Sequence, residues 1–499
     1  MPHDANDMAT TQAPATNIVS FVDTTIRDGH QSLWASNMST GMILPIVRNL
    51  DEAGFLAVEL FASAQFKKSV VELREDPWDL IRRVAAAMPN TPLRLNAGQI
   101  NTFGLDPPEI YDLRIRLMAK NGLRQARISA PWNDLPTWTK RLKVAREASM
   151  TCLLNLIYSL SPRHTDDYYA ERTRQAASLK PDRLCLKDPS GLLTPDRVRT
   201  LVPIILANAG GIEVELHSHC STGLGPLTAL EAVKQGIRII NTGIPPLANG
   251  TALPSVFNVA HNLRALGYRT NLNEDVLRPV ERHFTIIAKR EGWPVGVPVE
   301  YDGSQYEHQV PGAMVSNLMH QLKKVGQEKH FQAALDETVR VRAELGYPIM
   351  VTPLSQFVGS QAAINVMVGE RYREVSDQII LYALGRHGEE AVGLMDQNVR
   401  DKILDRPRTR EILAAEKPPE TLAQVRAEFG GPNVSDEEML LRWLLNKDEV
   451  DAMMAAGAPT PYVTTRHPLV SLVADIAARP SFGRIEIDRP GLSLALQRG

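Results

Sequence analysis

The sequence predicts a (β/α)8 barrel followed by a helix-rich domain. Between Phe21 and about Gly267, short β-branched or apolar runs alternate eight times with amphipathic stretches. No Gly-x-Gly-x-x-Gly turn follows the first run, which counts against an open doubly wound sheet. The polar residues able to do chemistry gather just after the apolar runs, where a barrel carries its active site.

Taken in order, Phe21–Thr24 opens the barrel and Met42–Ala53 is the first amphipathic helix. Ala57–Phe61 is followed by Trp78–Met88, Leu93–Ala97 by Pro108–Asn121, and Ala126–Ser129 by Trp138–Ser149. Cys152–Tyr158 precedes Asp166–Leu179, Arg183–Lys187 precedes Pro195–Ala209, and Glu213–His217 precedes Pro226–Gln235. Ile237–Asn241 supplies the eighth strand. Beyond Tyr268 the pattern turns helical, punctuated by Pro311-Gly312, Gly346-Tyr347-Pro348 and Thr352-Pro353. A linker around Glu416-Lys417-Pro418-Pro419 leads to a helical piece from Ser435 to Met454, where Ser435 and Glu438 spell a capping box. Arg484 to Leu496 reads as a small hairpin or edge strand. The expected division is a disordered tail (1–17), the barrel (18–300), a helical domain (301–415) and a C-terminal extension (416–499), helical and then a short strand.

Length and composition agree with this plan. The 499 residues leave room for a large barrel and an appendage. With a net charge of −2 there is no basic excess to neutralise phosphates, so neither nucleic acid nor an anionic membrane is an expected partner. Cys152, Cys185 and Cys220 lie in or just after expected strands and read as reduced thiols, which suits a cytoplasmic protein. No apolar run reaches the length of a membrane span, and the first residues lack the basic-then-apolar pattern of an export signal.

The most informative stretch is His217-Ser218-His219, at the end of the alternating run Ile212-Glu213-Val214-Glu215-Leu216. In a strand, residues i and i+2 share a face, so the two imidazoles project together as half of a divalent-metal site. Two unrelated histidines at a strand end are the alternative. Arg27, Asp28, His30 and Gln31 follow strand one, Lys187 and Asp188 end strand six, and Thr242 to Thr251 follow strand eight. Strands one, six, seven and eight are contiguous in a closed barrel, so these loops can converge. Asp28, His217 and His219 then give three ligands with open positions, suiting zinc, manganese or cobalt. An ammonium beside a dication is disfavoured, so Lys187 must be deprotonated, displaced or modified. Carbamylation by CO₂ would make it an anionic oxygen ligand; otherwise it is an ordinary lysine near Asp188. Such a metal polarises a carbonyl oxygen, supporting carbon–carbon lysis or condensation, or carboxyl transfer beside a carbonyl. Thr251 shuttles a proton if it faces the pocket and is a cap if it does not.

Asp23-Thr24-Thr25-Ile26-Arg27-Asp28-Gly29-His30-Gln31-Ser32-Leu33 resembles the opening motif of biotin-dependent carboxyltransferase domains. That family includes pyruvate carboxylase, the alpha subunit of oxaloacetate decarboxylase and the keto-acid subunit of methylmalonyl-CoA transcarboxylase. The resemblance continues through Glu75-Asp76-Pro77-Trp78, Leu186-Lys187-Asp188-Pro189-Ser190-Gly191-Leu192-Leu193 and His217-Ser218-His219-Cys220-Ser221-Thr222-Gly223. It reaches past the barrel, in Tyr306-Glu307-His308-Gln309-Val310-Pro311-Gly312, Glu344-Leu345-Gly346-Tyr347-Pro348 and Val351-Thr352-Pro353-Leu354-Ser355-Gln356.

The resemblance implies metal ligands at Asp28, carbamylated Lys187, His217 and His219. It implies that Thr251 passes a proton between biotin and the acceptor, with Lys187 and Gln31 also in the catalytic set. Arg27, His30, Gln31, Gln99 and Arg127 are implied to bind acceptor or biotin. No Ala-Met-Lys-Met-like biotinylation site and no Gly-rich ATP-binding segment occur. The implied partners are therefore a separate biotin carboxyl carrier protein and a biotin carboxylase subunit, with this chain a homodimer or larger. One departure stands out: the family's Arg-Gly pair after strand three, whose arginine holds the pyruvate carboxylate, is matched by Asn96-Ala97-Gly98-Gln99-Ile100-Asn101, with Ala97 in the arginine's place. A tyrosine expected soon after Gly104 is Leu105, and an acid expected after strand four is Ala130. The implied function is transfer of CO₂ between carboxybiotin and an enolisable carbonyl acceptor: a 2-oxo acid such as pyruvate or oxaloacetate or, without a charge-assisted clamp, a changed acceptor less acidic or more apolar than pyruvate. The alternatives to this function are a biotin-independent metal-dependent lyase or aldolase, and an inactive scaffold subunit.

Overall fold

Eight strands that are apolar on both sides must be covered on both sides, and closure into a parallel barrel wrapped by helices does this without leaving a sheet edge. The computed structural model describes residues 17–98, 106–324, 326–464, 473, 476, 483–489 and 492–497. Its parallel strands are β1 (Ile18–Asp23), β2 (Ala57–Ala62), β3 (Leu93–Ala97), β4 (Gln125–Ile128), β5 (Thr151–Ile157), β6 (Arg183–Asp188), β7 (Val214–Ser218) and β8 (Ile239–Thr242). They run in sequence order around the ring, and β1 closes it by pairing with both β2 and β8. The expected barrel and its strand count are therefore correct, and the helix-rich region follows it. The expected tail over residues 1–17 falls almost wholly outside the described residues.

The helices begin where short polar side chains accept the first free N–H groups. Asp134 accepts from Thr137, Thr165 from Tyr168 and Thr194 from Arg197. Pro136 and Pro195 sit in first turns, where a missing N–H costs nothing. The expected helix over Met42–Ala53 is instead broken into Thr40–Ile43, a tight turn Leu44–Ile46 and Val47–Glu52. Pro45 lies in the middle of it and cannot donate to the preceding turn. The strand β1 begins three residues earlier than the pattern suggests, because Ile18 and Val19 also pair with Arg269 and Thr270. A further helix, Val256–Ala265, follows β8 without having been expected from the pattern.

Buried ion pairs cross the barrel lumen. Arg94 on β3 donates to Glu215 on β7 at 2.6 and 3.1 Å, and Arg127 on β4 donates to Glu59 on β2 at 2.8 Å. Cys152, Cys185 and Cys220 are all free and buried.

The helical region forms a second core around Leu318, Leu354, Phe357, Tyr372 and Tyr382, into which Trp132 of the β4 loop inserts. Polar contacts lock it onto the barrel's C-terminal rim: Arg342 donates to Ser159 and to the Leu160 carbonyl at 2.9 and 3.0 Å, and Trp132 Nε1 donates to the His387 carbonyl. The expected helical piece from Ser435 to Met454 is two helices, Asp436–Leu444 and Lys447–Ala456. Ser435 does cap the first of them, but Glu438 pairs with Arg442 at 2.8 Å instead of completing the box. Met439, Leu441 and Val450 join the barrel's core, not that of the helical region. Arg484–Arg489 and Leu492–Gln497 form an antiparallel hairpin. Among the described residues, no helix is long and apolar enough to cross a membrane.

Candidate active site

Strand order puts the candidate residues together. Asp28 lies in the helical turn Thr25–Gly29 after β1, His217 is the penultimate residue of β7, and His219 follows that strand directly. Lys187 on β6 is the register partner of His217. One donor atom from each of Asp28, His217 and His219 lies within 4.8 Å of the others, and all three residues are buried.

The imidazoles are oriented from behind. His217 Nδ1 faces the Asn241 side-chain Oδ1 at 3.2 Å, and His219 Nδ1 faces the Thr251 backbone carbonyl oxygen at 2.7 Å. Both partners are acceptors, so each ring carries a proton on Nδ1 and turns Nε2 inward. The two Nε2 atoms stand 3.4 and 3.5 Å from the oxygens of Asp28. His217 Nε2 is buried and falls outside hydrogen-bonding geometry with any neighbour. Burial, then Arg127, push the His217 pKa down to about 3, so the ring is neutral. Burial alone would raise the Asp28 carboxyl, but Arg27, His219 and His217 hold it well below the usual range. Two imidazole nitrogens and a carboxylate, converging with the orphaned Nε2 of His217, fit a divalent cation.

Lys187 is buried beside this set and makes no ion pair among the described residues. Burial, then Arg127 and Arg27, push its pKa down to about 7. Asp188 is occupied elsewhere, accepting from Leu192 and Leu193 N–H at 2.8 Å and from Ser218 at 2.9 Å. The neutral amine that carbamylation needs is thus accessible near neutral pH.

A cavity of about 180 Å³ opens on these groups. Arg27, Asp28, Gln31, Lys187 and His219 line it from the barrel, and Pro311, Met314 and Val351–Pro353 from the helical region. Arg27 is tied to Glu59 at 2.6 Å and to Asp28 at 2.5 Å, and approaches Gln31 at 3.5 Å. Burial would raise Glu59, but Arg127 and Arg27 bring it down to about 2.

Three residues expected at the pocket, Arg127, His30 and Thr251, do not line it. Arg127 lies in the lumen, wholly buried against Glu59, because β4 turns its side chain inward below the rim. His30 is buried against Gln65, Nε2 to Nε2 at 2.9 Å, and burial pushes its pKa down to about 3. Gln99 lies outside the described residues, as do Gly104 and Leu105. Thr251 touches the site through its carbonyl, while its hydroxyl donates to the Ser32 carbonyl at 3.0 Å. A Cβ on Gly312 would collide with the Thr251 methyl, so only glycine lets the helical region approach this loop so closely.

Ser129, Arg141 and the whole contribution of the helical region to the cavity escape a reading of the sequence. Arg141 sits within a helix, where a charged residue normally signals a solvated face. Val351-Thr352-Pro353 is visible as a motif, but nothing in the spacing places it over the barrel.

Residues 306–466 match the conserved carboxylase domain family. The chain is 34% identical over 393 residues to a pyruvate carboxylase subunit of Methanocaldococcus jannaschii, covering 78% of this chain and 69% of that protein. It is 30% identical over 436 residues to the methylmalonyl-CoA carboxyltransferase 5S subunit of Propionibacterium freudenreichii subsp. shermanii, covering 85% of each. Its fold resembles the carboxyl transferase domain of Rhizobium etli pyruvate carboxylase, solved with pyruvate and biocytin, at a TM-score of 0.79 and 21% identity. That match covers 89% of this chain and 78% of the other.

Proposed function

The chain belongs to the biotin-dependent carboxyltransferase family, and from that premise we propose that it moves a carboxyl group between biotin on a separate carrier and the carbon beside the carbonyl of a 2-oxo acid. The observation that carries this reading is the convergence of Asp28, His217 and His219 beside a buried Lys187, with Asp28, His219 and Lys187 lining one cavity.

Asp28, His217 and His219 would hold a divalent cation, with carbamylated Lys187 as a fourth ligand. Zinc, manganese and cobalt all suit mixed nitrogen and oxygen donors. Bound there, the cation supplies a Lewis acid for the acceptor's carbonyl oxygen. Asn241 and the Thr251 carbonyl keep both imidazoles in the tautomer that binds. Arg27, fixed by Glu59, places a positive charge beside Asp28. Gln31 stands at the wall to position acceptor or biotin. Thr251 is the candidate proton carrier, and to serve it must release the Ser32 carbonyl and turn its hydroxyl toward the cavity.

Relatives named as subunits support a multi-subunit setting, in which the proposed partners are a biotin carboxyl carrier protein and a biotin carboxylase subunit, with this chain itself a homodimer or larger. Three reduced, buried cysteines support a cytoplasmic location.

The test is the rate of oxaloacetate loss by purified, metal-replete protein with and without free biotin, beside Lys187→Ala. Biotin-stimulated loss that disappears in the variant is the expected result. Loss that ignores biotin would favour a lyase, and the same biotin-stimulated rate in the variant would remove Lys187 from the mechanism.

A further inference from the structure

Most arginines around the cavity are already spent on neighbours within the protein. Arg27 is held by Glu59 and Asp28, Arg127 by Glu59 and Arg94 by Glu215. Arg114 lies behind the wall, wholly buried, donating to Ser63 and to the Gly98 carbonyl. Arg141 differs from all of these. It lines the cavity, is only half-buried, and makes no ion pair among the described residues. Among the described residues, its side-chain hydrogen bond runs from Nη1 to the Ser129 carbonyl, just past the end of β4. Its guanidinium is steadied over the Tyr111 ring at 5.4 Å, and Arg114 packs against the same ring at 4.9 Å.

A guanidinium has five N–H donors in a planar fork, so a single carbonyl contact leaves most of that fork available. The anchor also fixes where the fork stands. Ser129 follows Ile128, which is the register partner of Ala97, so Arg141 comes to the rim beside the small residue that ends β3. Beyond Arg141 a second cavity of about 290 Å³ shares Pro131, Arg141 and Pro353 with the first. Arg141 thus stands between the metal-ligand set and a space able to take a longer substituent.

We propose that Arg141 binds the carboxylate of the acceptor 2-oxo acid, approached from the β4 side of the barrel, and so selects acids over neutral carbonyl compounds. This rests on the carboxyltransferase reading above and replaces the expectation of a less acidic acceptor. The arginine that the resemblance expects at position 97 is absent, but a cation does reach the pocket from the neighbouring helix. Arg141 is a binding residue; the reacting atoms lie toward Lys187 and His219.

The experiment is calorimetric titration of the full chain with pyruvate, 2-oxobutyrate, 2-oxoglutarate and neutral pyruvamide, for wild type, Arg141→Gln and Arg141→Lys. Biotin-stimulated oxaloacetate loss is measured on the same samples. In Arg141→Gln the dissociation constant of the best-bound acid should rise about tenfold or more, as for loss of a charge-assisted contact. Arg141→Lys should recover part of this, and pyruvamide should bind all three proteins alike. In turnover the loss should fall on KM more than on kcat. Unchanged acid binding in Arg141→Gln, or equal weakening of acid and amide, overturns the assignment; intact biotin-stimulated turnover then leaves the carboxyltransferase reading standing. A wild-type protein that binds none of the acids and shows no biotin-stimulated loss overturns both.

Discussion

Each imidazole of the donor set is useful because its other nitrogen is occupied. Asn241 does not line the cavity; its side chain sits behind His217 and fixes which nitrogen is free. Replacing it with leucine leaves Nδ1 without an acceptor and the ring free to change tautomer. The Asn241→Leu protein is expected to bind zinc about ten- to a hundredfold more weakly in competition with a chelator, in line with losses of such outer partners. Unaltered affinity would show that ring orientation is set by packing alone. At this scale the sequence was most legible where chemistry demands a residue type at a fixed strand position, as at Asp28, Lys187, His217 and His219. It was least legible for side chains that turn away after the backbone has placed them nearby, as Arg127 and His30 do.

At the scale of elements, the barrel is pinned across its lumen as well as around its wall. Arg94 and Glu215 sit on opposite sides of the ring, fully buried, with Gln125 accepting from Arg94 Nε at 3.1 Å. Arg94→Met strands a carboxylate in the interior and should cost about 3–5 kcal/mol of stability in urea unfolding. A double variant that also replaces Glu215 with leucine should recover much of that loss, since it is the unpaired charge that is expensive. Equal losses in the single and double variants would point to packing instead. The strand pattern was readable because parallel strands buried on both faces are short, apolar and separated by helices of similar length. The departures have local causes: Pro45 interrupts one helix, and at Ser435 an i,i+4 ion pair takes the glutamate that a capping box would use.

At the scale of the whole molecule, the helical region completes the cavity, so the seam between the two cores matters to function. His164 is buried at that seam, sharing a hydrogen bond of 2.7 Å between Nδ1 and Ser161 and packing edge-on to Tyr168. Burial, then Arg342 and Arg163, push its pKa down to about 3. The folded protein therefore holds this ring neutral, whereas the unfolded chain protonates it near 6.5. Its contribution is fully present above pH 6.5 and is lost as pH falls toward 3, at about 1.4 kcal/mol per pH unit. Wild type should lose stability between pH 6.5 and 5 more steeply than His164→Gln, as read from urea midpoints; parallel curves would contradict this. The seam was not legible in the sequence. Motifs show which residues matter, while the docking of Val351–Pro353 over the barrel depends on contacts far apart in the chain, such as Arg342 with Ser159.

The chemistry assigned to this chain depends centrally on Asp28, His217 and His219 forming one cation site. The most direct test is the metal content per chain of the purified protein, measured by mass spectrometry of the elements, for wild type and for a His217→Ala/His219→Ala double variant with an unchanged circular dichroism spectrum. About one tightly held divalent ion per chain in wild type, and almost none in the variant, is the predicted result. Equal metal content in the two proteins would contradict the site and, with it, the chemistry assigned to the barrel mouth.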